Sequence, residues 1–217
     1  MCIVEIDDAA WGDLVGGVFV CFNQVANHNH VILEIPPQYF QGEKWLKKEY
    51  FLKSRELTVN ALEKLGVKEG DNVEFHVCTG YINDAVAGFL AGKGFRVERC
   101  KIEGETQSLV EGAYEDYLKR LTGLENIPPS SKRFFFLLKW VRADLKEREK
   151  FVKTGWRSWN ERWRTPETQK DYKACVNCKW LAYSGPHVTC AYGGKWRGWM
   201  PRKTIKLPTN CQWWEPK

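Results

Sequence analysis

The stretch VEIDDAAWGDLVGGVFV (residues 4–20) decides how the chain is read. Its first part completes IVEID (3–7), a β-branched strand that ends in a carboxylate, and AAWGD then supplies a turn. LVGGVFVCF (14–22) is a second apolar run. Working outward, NHN (27–29) has turn chemistry, and HVILEIP (30–36) reads as a third strand that stops at Pro36-Pro37. Three strands joined by short turns predict an antiparallel meander.

Beyond the meander, Trp45, Leu46, Leu52, Leu57, Ala61, Leu62 and Leu65 recur at helical spacing. They predict one helix over 41–65 that stops at Gly66. A strand (73–78), a helix (83–93), a strand (95–102) and a helix (106–121) follow. The order βββαβαβα belongs to an α/β domain, with a mixed sheet covered by helices. Cys2, Cys21, Cys78 and Cys100 fall in or beside the strands and read as small apolar core residues. His76 reads as a satisfied core histidine, and the His28/His30 pair as hairpin-tip composition.

Pro128-Pro129 interrupts the helical pattern, so the first domain is drawn as 1–127. A basic helical connector is drawn as 128–170 and a cysteine-rich module as 171–217. In the connector a helix is expected from Lys132 to about Arg164, bent near Gly155. Phe135, Leu138, Val141, Leu145 and Val152 would face the first domain. Trp156, Trp159 and Trp163, flanked by Arg157, Arg162 and Arg164, form a stripe suited to stacking on nucleic-acid bases. The same pattern also describes a helix packed on a neighbour with its arginines in water.

Residues 1–122 resemble the ribonuclease H-like fold of ribonucleases H, Holliday-junction resolvases and many transposases. The resemblance rests on the element order and on an acidic strand end before a glycine-bearing turn, here Asp7, Asp8, Ala9 and Gly12. It implies phosphodiester hydrolysis with Mg²⁺ or Mn²⁺ held by three or four carboxylates. Asp7 matches the first-strand ligand, with Asp8 beside it, and Glu111 or Glu115 matches a ligand carried on the last helix. At the fourth strand the chain reads HVCTGYIND, so Cys78, Thr79 and Gly80 stand where a carboxylate is expected and Asp84 follows later. Either Asp84 reaches the site or the fold serves a non-catalytic role, in assembly with a protein partner.

Charge is unevenly spread. Residues 1–131 carry 13 Lys and Arg against 20 Asp and Glu, a net of −7. Residues 132–217 carry 20 against 7, a net of +13. Nine of the eleven tryptophans lie at or after Trp140. A basic, aromatic half of this kind points to nucleic acid as partner. No run of about 18 uncharged apolar residues is present, so no membrane span is expected. The N-terminal residues lack a signal-peptide pattern, which makes the cytoplasm the expected location and disulfides unexpected. No Gly-rich phosphate loop ending in Lys-Ser/Thr is present.

Cys175-x2-Cys178-x11-Cys190-x20-Cys211 supplies four thiolates in a short segment with few aliphatic residues. Such a segment needs ligation to fold, so a metal is expected there. The wide spacing and the surrounding tryptophans favour a [4Fe–4S] cluster, and the run looks like small cysteine modules of high-potential iron–sulfur type. Zn²⁺ is the alternative, with His187 able to replace one cysteine. A redox subunit built on such a cluster is a third reading.

Overall fold

Strand β1 (Cys2–Ala9) is the axis of the molecule. It pairs antiparallel with β2 (Val18–Gln24), which pairs antiparallel with β3 (Asn29–Ile35). On its other side β1 runs parallel to β4 (Val73–Cys78), and β4 runs parallel to β5 (Arg96–Cys100). The sheet order is therefore β3-β2-β1-β4-β5, mixed in direction, as the meander and crossovers require. The computed structural model describes residues 2–164 and the backbone of three short strands, Leu181–Ser184, His187–Cys190 and Trp199–Pro201.

Alternation along the strands puts Val4, Ile6, Phe75 and Val77 on one face, all fully buried. Helices α2 (Glu49–Leu65) and α3 (Asn83–Gly92) cover that face through Leu57, Ala61, Val86 and Leu90. Helix α4 (Glu105–Thr122) packs on the opposite face over β1 and β2, through Val110, Tyr114 and Leu118. The helix expected over 41–65 is broken into α1 (Gly42–Leu46) and α2, because Lys48 takes a left-handed φ of 54°. The break turns Trp45 onto Tyr50, with ring centroids 5.3 Å apart.

Strand β2 starts at Val18 rather than Leu14. Leu14 and Val15 are buried in the preceding loop, where Val15 forms a bridge to Val152 and Gly16 turns at φ 83°. Of the four strand cysteines only Cys21 is fully buried; Cys2, Cys78 and Cys100 are half-buried.

The boundary expected at 127 is not where the first compact unit ends, since that unit runs from Met1 to Trp156. Helix α5 (Ser130–Ala143) buries Leu137, Leu138 and Val141, but Phe135 points outward and Arg133 is buried in its stead. The expected single helix gives way to α6 (Leu145–Arg148), capped by Asp144, and a 3-10 turn at Glu149–Phe151. The chain then crosses back over the meander. Gln41 donates to the carbonyls of Lys150 and Val152 at 2.9 and 2.7 Å, and Gly155 N–H donates to Phe40 O at 2.9 Å. A Cβ at Gly155 would collide with Trp45, so this crossing needs glycine.

The second unit, Arg157–Lys217, contains a π-helical turn at Trp159–Trp163 and an antiparallel three-stranded sheet. That sheet is ordered β6 (Leu181–Ser184), β7 (His187–Cys190), β8 (Trp199–Pro201). Among the described residues no helix is long and apolar enough to cross a membrane.

Candidate active site

Ligand sites in open sheets form where neighbouring connections leave the strand ends in different directions. Here β1 lies between an antiparallel and a parallel neighbour, and its end meets the end of β4. Asp7, Asp8 and Cys78 come together there, each offering a ligand atom within 4.8 Å of the others. The loop after β4 presses close, and a Cβ on Gly80 would meet Asp8 Oδ1. Glycine is required at that approach.

The carboxyls are crowded. Burial, then the charges of Asp7 and Glu111, push the pKa of Asp8 up to about 7, against the opposing pull of Lys153 and Asn83. Burial also raises Asp7, which accepts hydrogen bonds from the Cys78 thiol and from Asp8 N–H, the latter at 2.9 Å. Glu111, on α4, is raised by burial and by Asp13 and Asp7, while Arg133 opposes the shift. Burial pushes the Cys78 thiol up to about 11, and its bond to Asp7 adds to this. With no metal bound, Cys78 is therefore a neutral donor to Asp7.

Two buried cations stand behind the pocket, both from beyond residue 127. Arg133 Nη1 bonds Asp13 Oδ2 at 3.0 Å, and its Nη2 lies 3.8 Å from Glu111. Lys153 Nζ donates to the carbonyls of Ala10 and Asp13 at 2.5 and 2.8 Å. Burial brings the Lys153 pKa down to about 7, with Asp13, Glu34 and Asp8 pulling the other way. Both cations hold the turn between β1 and β2, which carries Ala10 at a positive φ of 74°.

Of the expected catalytic residues, Asp7, Asp8 and Glu111 form one electrostatic group. Asp84 is not brought into it. On the first turn of α3, Asp84 pairs with Arg99 at 2.9 Å, and its neighbour Asn83 reaches the pocket by donating to Asp8 Oδ1 at 2.7 Å. Glu115 is turned to Lys119 at 2.8 Å. Asp13, Asn83, Arg133 and Lys153 were not singled out by sequence. Asp13 had the one local signal, as the acidic residue of the Gly12-Asp13 pair in the opening stretch. His28 pairs with Glu105 at 2.8 Å, consistent with a hairpin tip.

The donors fit a divalent cation of the hard, oxygen-seeking kind. Asp7 and Asp8 share the pocket, Glu111 acts on it electrostatically, and burial first, then the like charges, raises the pKa of Asp8 to about 7. Asn83, fully buried, keeps an Oδ1 with no hydrogen-bond partner beside Asp8. The fourth carboxylate that the resemblance implies is absent from the end of β4, where Cys78 stands.

The expected base-stacking stripe is divided. Trp156 ends the first unit, where Lys153 Nζ lies 5.8 Å from its ring centroid. Trp159 is fully buried and so does not present a stacking face. Arg157 pairs with Glu161 at 2.6 Å, Arg162 and Arg164 are exposed, and Trp163 is half-buried. Of the cysteine module, Cys175, Cys178 and Cys211 lie outside the described residues, and Cys190 is described only as the backbone end of β7.

No protein-family model and no curated protein gives a significant match to the sequence. Among solved structures the chain is similar to a single-substitution mutant of Bst-RNase HIII. The identity is 12% and the TM-score 0.47, over 74% of this chain and 68% of that one. It is also similar to Bst-RNase HIII in complex with Mn²⁺, at 12% identity and TM-score 0.46 over the same shares.

Proposed function

We propose that the first unit is a ribonuclease H-like domain that acts on the phosphodiester backbone of nucleic acid with a divalent cation. The observation that carries this reading is the meeting of Asp7 and Asp8 at the end of β1, where the charge of Glu111 on α4 also acts on Asp8. Asp7 and Asp8 would hold Mg²⁺ or Mn²⁺, with Glu111 the third oxygen donor. A cation there supplies charge stabilisation at the phosphate and a more acidic bound water. The protein's own part is to hold Asp7 oriented through Cys78 and Asp8 through Asn83. The basic half, with its net of +13 and the arginines after Trp156, would hold the strand electrostatically.

Incubating the full chain with labelled RNA, DNA and hybrid duplex in Mg²⁺ or Mn²⁺ tests this. Asp7→Asn is expected to lower cleavage by more than about 100-fold while binding at low salt stays within about twofold, the pattern of an interaction lost only in the transition state. Equal cleavage by wild type and variant removes the assignment.

A second reading, a non-catalytic domain that assembles with a protein partner, is favoured by two observations: the thiol in place of a carboxylate at the end of β4, and the approach of Arg133 to Glu111. In either case the four cysteines 175, 178, 190 and 211 would form a structural module around a [4Fe–4S] cluster or Zn²⁺. The support is their spacing alone. Iron and sulfide with visible absorption in anaerobically purified protein distinguishes the cluster from colourless zinc.

A further inference from the structure

Away from the acidic pocket, the outer face of β4 and β5 is partly exposed, most of all at Glu98. Helix α4 packs chiefly over β1 and β2 on this side and covers the two parallel strands less. Glu74 and His76 are two residues apart on β4, so their side chains leave the same face. Glu98 on β5 stands directly across from His76, and Glu5 on β1 stands across from it on the other side.

His76 Nε2 lies 3.9 Å from Glu74 Oε1 and 3.9 Å from Glu98 Oε2. Both distances are too long for a hydrogen bond, which for a charged pair closes to about 2.7–2.9 Å. They are close to what a shared ion demands. Nitrogen and oxygen ligands about 2.0–2.2 Å from a tetrahedral Zn²⁺ stand about 3.4 Å apart, a gap that a small side-chain rotation closes. The three ligand atoms already lie within 4.8 Å of one another. Glu5 is engaged by the Thr106 hydroxyl at 2.5 Å, so it helps fix the negative field without joining the set. Arg96, across from Glu74, brings a positive charge to the rim.

We propose that Glu74, His76 and Glu98 form a second cation site, specific for Zn²⁺ or a similar borderline transition metal. One imidazole with two carboxylates suits such an ion better than Mg²⁺, which takes oxygen ligands. Three protein ligands leave a fourth position open to water or to a ligand, on the side of the exposed Glu98. The site uses none of the residues of the Asp7–Asp8 pocket and does not depend on nuclease activity.

The test uses the full chain, stripped of metal and titrated with Zn²⁺ against a chelator of known affinity. Bound zinc is counted, and the imidazole nitrogens are followed by ¹⁵N NMR. His76→Ala is expected to lose one equivalent of zinc relative to wild type, whereas Asp7→Asn retains it. Glu98→Gln is expected to weaken that equivalent by more than about tenfold, since losing even an outer partner of a ligand costs that much. Wild-type His76 Nε2 should shift on zinc addition. Identical zinc stoichiometry in wild type and His76→Ala, or a His76 Nε2 signal that ignores zinc while other sites fill, overturns the proposal. Glu98 is exposed, so its variant tests the site even if His76→Ala misfolds.

Discussion

Strand β4 shows one face carrying Val73, Phe75 and Val77 and the other carrying Glu74, His76 and Cys78. The first three are sealed beneath α2 and α3, and the second three are half-buried on a face that α4 covers chiefly over β1 and β2. A parallel strand usually needs cover on both sides, and the alternation in VEFHVC replaces a second apolar layer with ionisable groups. Stability and chemistry are thus divided between alternate residues of the same six.

Breaking the apolar face has the largest expected effect. Phe75 is fully buried and stacks edge-on to Phe95 at 5.1 Å, so Phe75→Ala should cost about 3–5 kcal/mol, read by urea denaturation. The polar side behaves in the opposite sense. Asp8 holds its proton up to about pH 7 in the folded protein, whereas the unfolded chain releases it near 3.8. Below both values there is no difference. As pH rises from 3.8 to 7 the unfolded state ionises first, and wild-type stability falls relative to a variant that cannot ionise. Asp8→Asn without divalent cation should therefore be more stable than wild type by about 2 kcal/mol at pH 8, a figure reduced for the solvent that reaches this carboxyl. The gain should vanish near pH 3.5 and reverse in saturating Mn²⁺, both followed by thermal melts. Smallest is Glu98→Gln, which should alter metal-free stability by under about 0.5 kcal/mol, because its side chain is 61% exposed. A larger change would place Glu98 among the structural residues and erase the contrast between the faces.

Much of this architecture is written in local pattern. Alternation in IVEID and VEFHVC, and the turn chemistry between the meander strands, is enough for the strand order and for Asp7 at a strand end. The resemblance points to Glu111 or Glu115 on the last helix of the first domain, and local pattern does not choose between them. What local pattern does not carry is which distant charge meets which. Nothing around Arg133 distinguishes it from Lys132, yet only Arg133 is buried and reaches Asp13, 120 positions away. Asp84 looks the better ligand by residue type, but Arg99 on the adjacent strand end holds it, and the amide of Asn83 takes the place beside Asp8. Trp159 matched a stacking pattern and is buried. Periodicity finds a stripe without saying whether solvent or protein faces it.

The crossing of residues 149–156 over the meander bears on how the chain is made. Lys153 closes onto Ala10 across 143 positions of sequence. The turn beside Asp8 thus lacks its buried cation until those residues are synthesised, about 7–30 s later at ordinary elongation rates. For most of that interval the nascent chain has its first strands with Asp7 and Asp8, but neither the arginine nor the lysine that organise the turn. The pocket is assembled last, from the two ends of the unit.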